Sequence, residues 1–225
     1  MENSTMDWKR ARSDEKKDER KAAICAAAMT LFKENGYDDV TLNGIAKEAG
    51  FAKSNLYRYF SSREEIFLSI FSDLFSRWFA AWSKRLKRFH EHEPIANFAE
   101  SWVKSFLAIP AFLDLTPLLF LSLEQNSSYE QLVKFKRHSK SLLYPLSLEI
   151  SRIYPEIANE QAFQCLSLCF AATSNFWAGS RQNDALRKVY AQEEFAALRP
   201  TFKSDLKSAV EITVHGLRSM AKQSK

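Results

Sequence analysis

Apolar residues recur along this chain at three- and four-residue spacing, and no stretch sustains the alternation in twos that a half-buried strand requires. Ile24, Ala28 and Leu31, with Ala27 and Phe32 beside them, predict a first amphipathic helix that stops at Gly36, where Glu34-Asn35-Gly36-Tyr37 offers a left-handed end. Thr41 is a candidate N-cap for a short second helix carrying Leu42, Ile45, Ala46 and Ala49 and ending at Gly50. A third short helix is expected from about Ala52 to Tyr59, and Ser62 with Glu65 forms a capping box for a fourth. The fourth keeps helical spacing through Phe67, Ile70, Phe71, Leu74, Trp78, Trp82, Leu86 and Phe89 up to Pro94, about 28 residues and roughly 42 Å of helix. Helices are expected beyond it at about 95 to 108, 111 to 126, 128 to 153, 159 to 180 and 202 to 221, with 182 to 200 reading as a loop holding at most one short helix.

The predicted fold is all-α: an N-terminal three-helix unit at residues 20–66, joined by a long helix to a larger helical part at 67–225. Residues 1–19 hold almost no apolar material and mix charges of both signs, so they read as a flexible, solvated tail, with a minor-groove arm as the alternative.

Composition removes several function classes. With 46% hydrophobic residues and only 5 Gly and 6 Pro in 225, the chain is neither collagen-like nor low-complexity. Three cysteines without paired metal spacing provide no disulfide framework and suit a reducing compartment, so a cytoplasmic location is expected. The charged N-terminus does not lead into an apolar signal core, and no apolar run approaches the roughly 20 residues of a membrane span, so no membrane partner is expected. A net charge of +5 permits an acidic partner without revealing one. The local distribution is more telling: between Phe51 and Arg63 stand Lys53, Arg58 and Arg63 and no acid, interleaved with Ser54, Asn55, Tyr57 and Tyr59.

Two short helices across a glycine turn, packed on a preceding helix, follow the helix-turn-helix plan, whose second helix enters the DNA major groove. Ala46, Ala49 and Gly50 are small where helices must cross closely, and Ile45, Leu56 and Phe60 supply a core. The opposite face is free to read. Lys53 and Arg58 can reach phosphates or guanine edges, Asn55 can pair with adenine, Ser54 can serve either strand, and Tyr57 and Tyr59 add phenolic donors.

The motifs Ala27-Ala28-x-x-Leu31-Phe32-x-x-x-Gly36-Tyr37, Thr41-x-x-x-Ile45-Ala46-x-x-Ala49-Gly50 and Leu56-Tyr57-x-Tyr59-Phe60-x-x-Arg63-Glu64-Glu65 make residues 20 to 67 resemble the DNA-binding domain of the TetR family of transcriptional regulators. The resemblance implies a homodimer on a near-palindromic double-stranded operator, usually repressing, with a C-terminal domain that binds a small effector. It also implies that Thr41, Tyr59 and Arg63 hold phosphates while Lys53, Ser54, Asn55 and Tyr57 meet bases or phosphates. Gly44, Ala52 and Arg63 depart from the family's usual residues. A helix-interior glycine and a missing cap each cost about 1 kcal/mol, so they bear on the stability of the domain.

The many rings of the C-terminal part read mostly as core. The resemblance implies an effector cavity, for which Trp78, Trp82, Trp102, Phe106, Phe120, Gln125 and Asn175 are the candidates, and an apolar or aromatic ligand would suit them. Phe163 and Phe170 on one helix, and Leu206, Val210, Thr213 and Leu217 on another, form apolar stripes. Intramolecular packing accounts for them, or, as the resemblance implies, a four-helix dimer interface. Cys165 and Cys169 lack a third ligand and read as core, so no metal or cofactor is expected. No phosphate loop, nucleophile elbow or HExxH occurs, and no enzymatic activity is expected. Two rivals stay open: a helical module whose Phe51 to Arg63 face binds an acidic protein, and a membrane-surface protein using the basic stretch at residues 84 to 88.

Overall fold

The computed structural model describes the backbone of residues 2–223 and the side chains of residues 15–223. The elements run α1 (Glu2–Asn35), α2 (Leu42–Glu48), α3 (Lys53–Leu56), α4 (Arg63–Leu86), α5 (Ile95–Leu107), α6 (Pro110–Leu115), a π-helical turn (Leu119–Leu123), α7 (Tyr129–Ile153), α8 (Asn159–Ser180), α9 (Asp184–Tyr190), a 3-10 turn (Glu193–Leu198) and α10 (Phe202–Gln223). The all-α expectation holds among the described residues. No described helix is long and apolar enough to cross a membrane.

Several elements differ from the pattern-based boundaries: the expected helix at 111 to 126 is broken into α6 and the π-helical turn, and two other segments differ as well. The expected tail is helical from Glu2 onward, continuous with the helix that carries the apolar stripe; Met1 lies outside the described residues. The expected fourth helix stops at Leu86 instead of reaching Pro94, because the Arg152 guanidinium donates to the carbonyls of Leu86 and Phe89, both at 2.9 Å. Those are carbonyls that another helical turn would consume.

The chain divides into two compact units. The first comprises residues 1–70 and 120–133, the second residues 71–119 and 134–225. In the first, Ile24 and Ala28 of α1, Ile45 of α2, Leu56 of α3, and Ile66 and Phe67 of α4 are buried in one core. Phe67 receives Phe32 and Tyr37 edge-on at centroid separations of 5.7 and 5.2 Å. Gly36 and Gly50 both take positive φ, 81° and 71°, and so close α1 and α2 as expected.

In the second unit α10 packs against α5 and α8, and the core is ring upon ring. Trp78 lies 5.1 Å from Trp82 and 5.0 Å from Phe106, and Trp82 lies 4.8 Å from Trp102. Buried indoles require partners for their N–H groups. Ser105 accepts from Trp78 at 2.9 Å, Ser101 from Trp82 at 3.3 Å, and Thr173 from Trp102 at 2.9 Å.

Candidate nucleic-acid interface

α2 and α3 are held by small local devices. Thr41 is the N-cap of α2, its Oγ1 accepting the Gly44 N–H at 3.0 Å. A Cβ on residue 44 would stand 3.3 Å from that hydroxyl and 3.5 Å from Leu31, so glycine suits the site despite its poor helix propensity. α3 has no side-chain cap, as Ala52 foretells, and is only one turn long. Its continuation is tightened: Arg58 and Tyr59 donate to Asn55 and Leu56 in i to i−3 bonds of 3.3 and 2.9 Å.

Leu56 and Phe60 are buried beneath this turn, which leaves Lys53, Ser54, Asn55, Tyr57 and Arg58 exposed on its outer side. Lys53 lies over the Tyr57 ring at 5.9 Å. A cleft of about 400 Å³ brings Thr41, Asn43, Lys53, Tyr57, Ser61 and Arg63 together. The N-cap expected to meet a phosphate thus shares one concave surface with Lys53 and Tyr57.

Arg63 is placed otherwise than expected. Its Nη1 donates to the carbonyls of Tyr37, Asp38 and Val40 at 3.0, 3.3 and 2.7 Å, and its Nε donates to Glu64 at 2.8 Å. The guanidinium also lies 4.6 Å above the Tyr37 ring. A group so engaged clamps the α1–α2 loop. Tyr59 is half-buried, and its phenol oxygen accepts from Arg20 at 3.2 Å. Neither Arg20 nor Asn43 is marked by the sequence pattern; nothing in one-dimensional spacing brings Arg20 to Tyr59, 39 residues away.

The capping box forms in a modified way. Ser62 Oγ accepts the Glu65 N–H at 3.1 Å, while the Glu65 carboxylate takes the N–H of Ser61 at 2.8 Å and of Ser128 at 3.1 Å. Burial pushes the Glu65 pKa up, but these hydrogen bonds outweigh it and hold the carboxyl below its ordinary value. Ser62 also donates to the Asn126 carbonyl at 3.1 Å, and Tyr37 Oη lies 2.8 Å from Ser122 Oγ.

The other expected residues are dispersed. Trp78, Trp82, Trp102 and Phe106 are buried against one another in the core of the second unit. Phe120 and Gln125 belong to the first unit, and Asn175 is exposed on α8. On α10, Leu206, Val210 and Leu217 are buried within the single chain, and Thr213 hydrogen-bonds the Ala209 carbonyl. Phe163 pairs with Tyr144, and Phe170 meets Phe71 and Phe106. Leu206, Val210 and Leu217 thus pack inward, Phe163, Phe170 and Thr213 are half-buried, and α8 and α10 also present outward apolar residues, Leu168 at 47% and Ile212 at 70% exposure.

A short three-helix unit with an acid-free, outward-facing turn, followed by a ring-packed helical unit, defines a helix-turn-helix DNA-binding protein with a separate helical C-terminal part. Residues 24–70 match the family described as bacterial regulatory proteins, tetR family, and residues 72–221 match the tetracyclin repressor-like C-terminal domain; the chain belongs to the TetR family. The uncharacterized HTH-type transcriptional regulator YfiR of Bacillus subtilis (strain 168) is 45% identical over 56 residues, 25% of this chain and 27% of that protein. RutR of Escherichia coli (strain K12) is 34% identical over 82 residues, 36% of this chain and 37% of that one. The chain thus aligns with roughly a quarter to a third of these relatives. Thermus thermophilus FadR, solved in complex with lauroyl-CoA, shares the fold with a TM-score of 0.56 at 16% identity, over 88% of this chain and 94% of that one.

Proposed function

We propose that this protein is a transcriptional repressor that binds a near-palindromic operator as a homodimer and is released from it by a small molecule. The observation that carries this reading is the outward turn of Lys53, Ser54, Asn55, Tyr57 and Arg58 over buried Leu56 and Phe60, with Thr41 capping α2 beside it. Membership of the family supports it. The effector is a small molecule with a substantial apolar part: the Thermus thermophilus repressor with the same fold carries lauroyl-CoA. Homodimerisation uses the outward faces of α8 and α10, where Leu168 and Ile212 are exposed.

The test is selection of duplexes from a random-sequence pool by the full chain, then titration of the recovered duplex with lauroyl-CoA and with aromatic small molecules. A recovered palindrome, bound more weakly by Lys53→Ala and Tyr57→Ala at unchanged thermal stability, is expected. Failure of the wild type to enrich any duplex would overturn DNA binding. An effector must also be weakened by operator DNA by the same factor that it weakens the operator.

A further inference from the structure

Lys16, Lys17 and Arg20 stand eight, seven and four residues before Ile24, which is fully buried. At about 100° of turn per residue, those steps return all three to the side of α1 on which Ile24, Ala27 and Ala28 pack. Glu15, Asp18 and Glu19 fall on the other side. Charge is therefore sorted by sign over the turns that precede the apolar stripe, and all six side chains are exposed.

Opposite charges do meet three residues apart, Lys16 with Glu19 and Asp18 with Lys21, but at four-residue spacing the sorting does not serve the helix. A solvated helix gains from opposite charges four residues apart and loses from like ones. Here the pairs at that spacing are Glu15 with Glu19, Lys16 with Arg20 and Lys17 with Lys21, each of like sign. Among the described residues no ion pair joins Lys16, Lys17 or Arg20 to an acid. What locates this face is the hydrogen bond from Arg20 Nη1 to Tyr59 Oη, 3.2 Å, which sets the cations beside the end of the reading turn.

We propose that the Lys16, Lys17 and Arg20 face of α1 is a phosphate-binding surface that extends the helix-turn-helix interface along the backbone of DNA flanking the operator, with Arg20 and Tyr59 closing on one phosphate together. The proposal rests on the DNA-binding reading above. Tyr59 Oη accepts from Arg20, so its own O–H is left to donate to a phosphate oxygen, and the remaining Arg20 N–H groups supply charge-assisted donors alongside it. DNA is the fitting occupant, because the cations continue the stretch from Phe51 to Arg63 that contains no acid. Such phosphate bonds carry affinity and register, not base preference.

The experiment uses the full chain and the duplex that the wild type recovers from a random-sequence pool. Affinity is measured across salt concentrations for wild type, K16Q/K17Q/R20Q, and a control of equal charge loss, K84Q/K87Q/R88Q. Removing a cation that neutralises one phosphate should lower the salt slope by about 0.9, so the α1 variant should lose up to roughly 3 per protomer while selecting the same base sequence. The control should keep the wild-type slope. R20Q and Tyr59→Phe, singly and together, supply a second readout: if they share a phosphate, the double variant should weaken binding by less than the product of the two single factors. A wild-type slope in the α1 variant, or an equal loss in the control, would overturn the α1 surface while leaving operator binding intact. No recovered duplex at all would overturn both readings.

Discussion

The Arg63 guanidinium gives one nitrogen to three carbonyls of the α1–α2 loop and another to Glu64. Removing it strands those acceptors in a part-buried site, and hydrogen bonds to charged groups contribute about 1.5–3 kcal/mol each before relaxation. Arg63→Ala is therefore expected to destabilise the chain by about 2 kcal/mol in urea unfolding and to weaken DNA binding with little change in its salt slope. A slope lowered by about one unit at unchanged stability would instead mark Arg63 as a phosphate ligand. Lys53→Ala and Tyr57→Ala should behave in the opposite way, costing DNA affinity and leaving stability nearly untouched, since both side chains are exposed beyond the buried Leu56. The exposed face of the turn was legible because an amphipathic turn declares its outer side through the spacing of Leu56 and Phe60. Arg63 was not, because its partners are carbonyls, which every residue has and no sequence displays.

At the scale of elements, Glu65 joins the start of α4 to the start of α7 through the N–H groups of Ser61 and Ser128. The residue is 5% exposed, and its carboxyl titrates below the ordinary 4.5. A carboxyl whose folded pKa is depressed adds stability that is fully present above the unfolded pKa and is lost as the pH falls through the folded one. Stability of the wild type should therefore drop on acidification from about pH 4.5 downward more steeply than that of Glu65→Gln. The variant should already be weaker at neutral pH by about 1–3 kcal/mol, because it loses a charged acceptor for two backbone donors. Parallel acid-unfolding curves would contradict this. Ser62 and Glu65 could be read as a capping pair in advance, since the pattern is local; the Ser128 donor could not, coming from 63 residues away. Sequence separation of the same order hid the end of α4, where Arg152 supplies the cap. Helix stops made by Gly36 and Gly50 were legible because those residues act on their own backbone.

At the scale of the whole molecule, the rings were legible as core from their spacing alone. Spacing shows that Trp78, Trp82, Trp102 and Phe106 face one side; only packing shows that Ser101, Ser105 and Thr173 satisfy three indoles and let the rings close on each other. Thr173→Val should accordingly cost about 1–3 kcal/mol by leaving the Trp102 N–H buried without an acceptor, measured by thermal unfolding. The same distinction decides which α8 and α10 variants can test assembly. Leu217 is 4% exposed within one chain, so Leu217→Glu places a carboxylate in the core of the protomer and should unfold it whatever its oligomeric state. Ile212 is 70% exposed on the other side of α10 and Leu168 is 47% exposed on α8, so a charge at either is harmless to an isolated chain. In a symmetric dimer through α8 and α10, each such charge meets the interface in both copies, where it is desolvated without a partner. Ile212→Glu and Leu168→Glu are therefore expected to give folded monomers by light scattering, with wild-type helix content and unfolding midpoints no longer dependent on protein concentration. Operator affinity should fall along with dimerisation, because one reading turn would have to hold a half-site alone. If both variants remain dimeric, the interface lies on other helices.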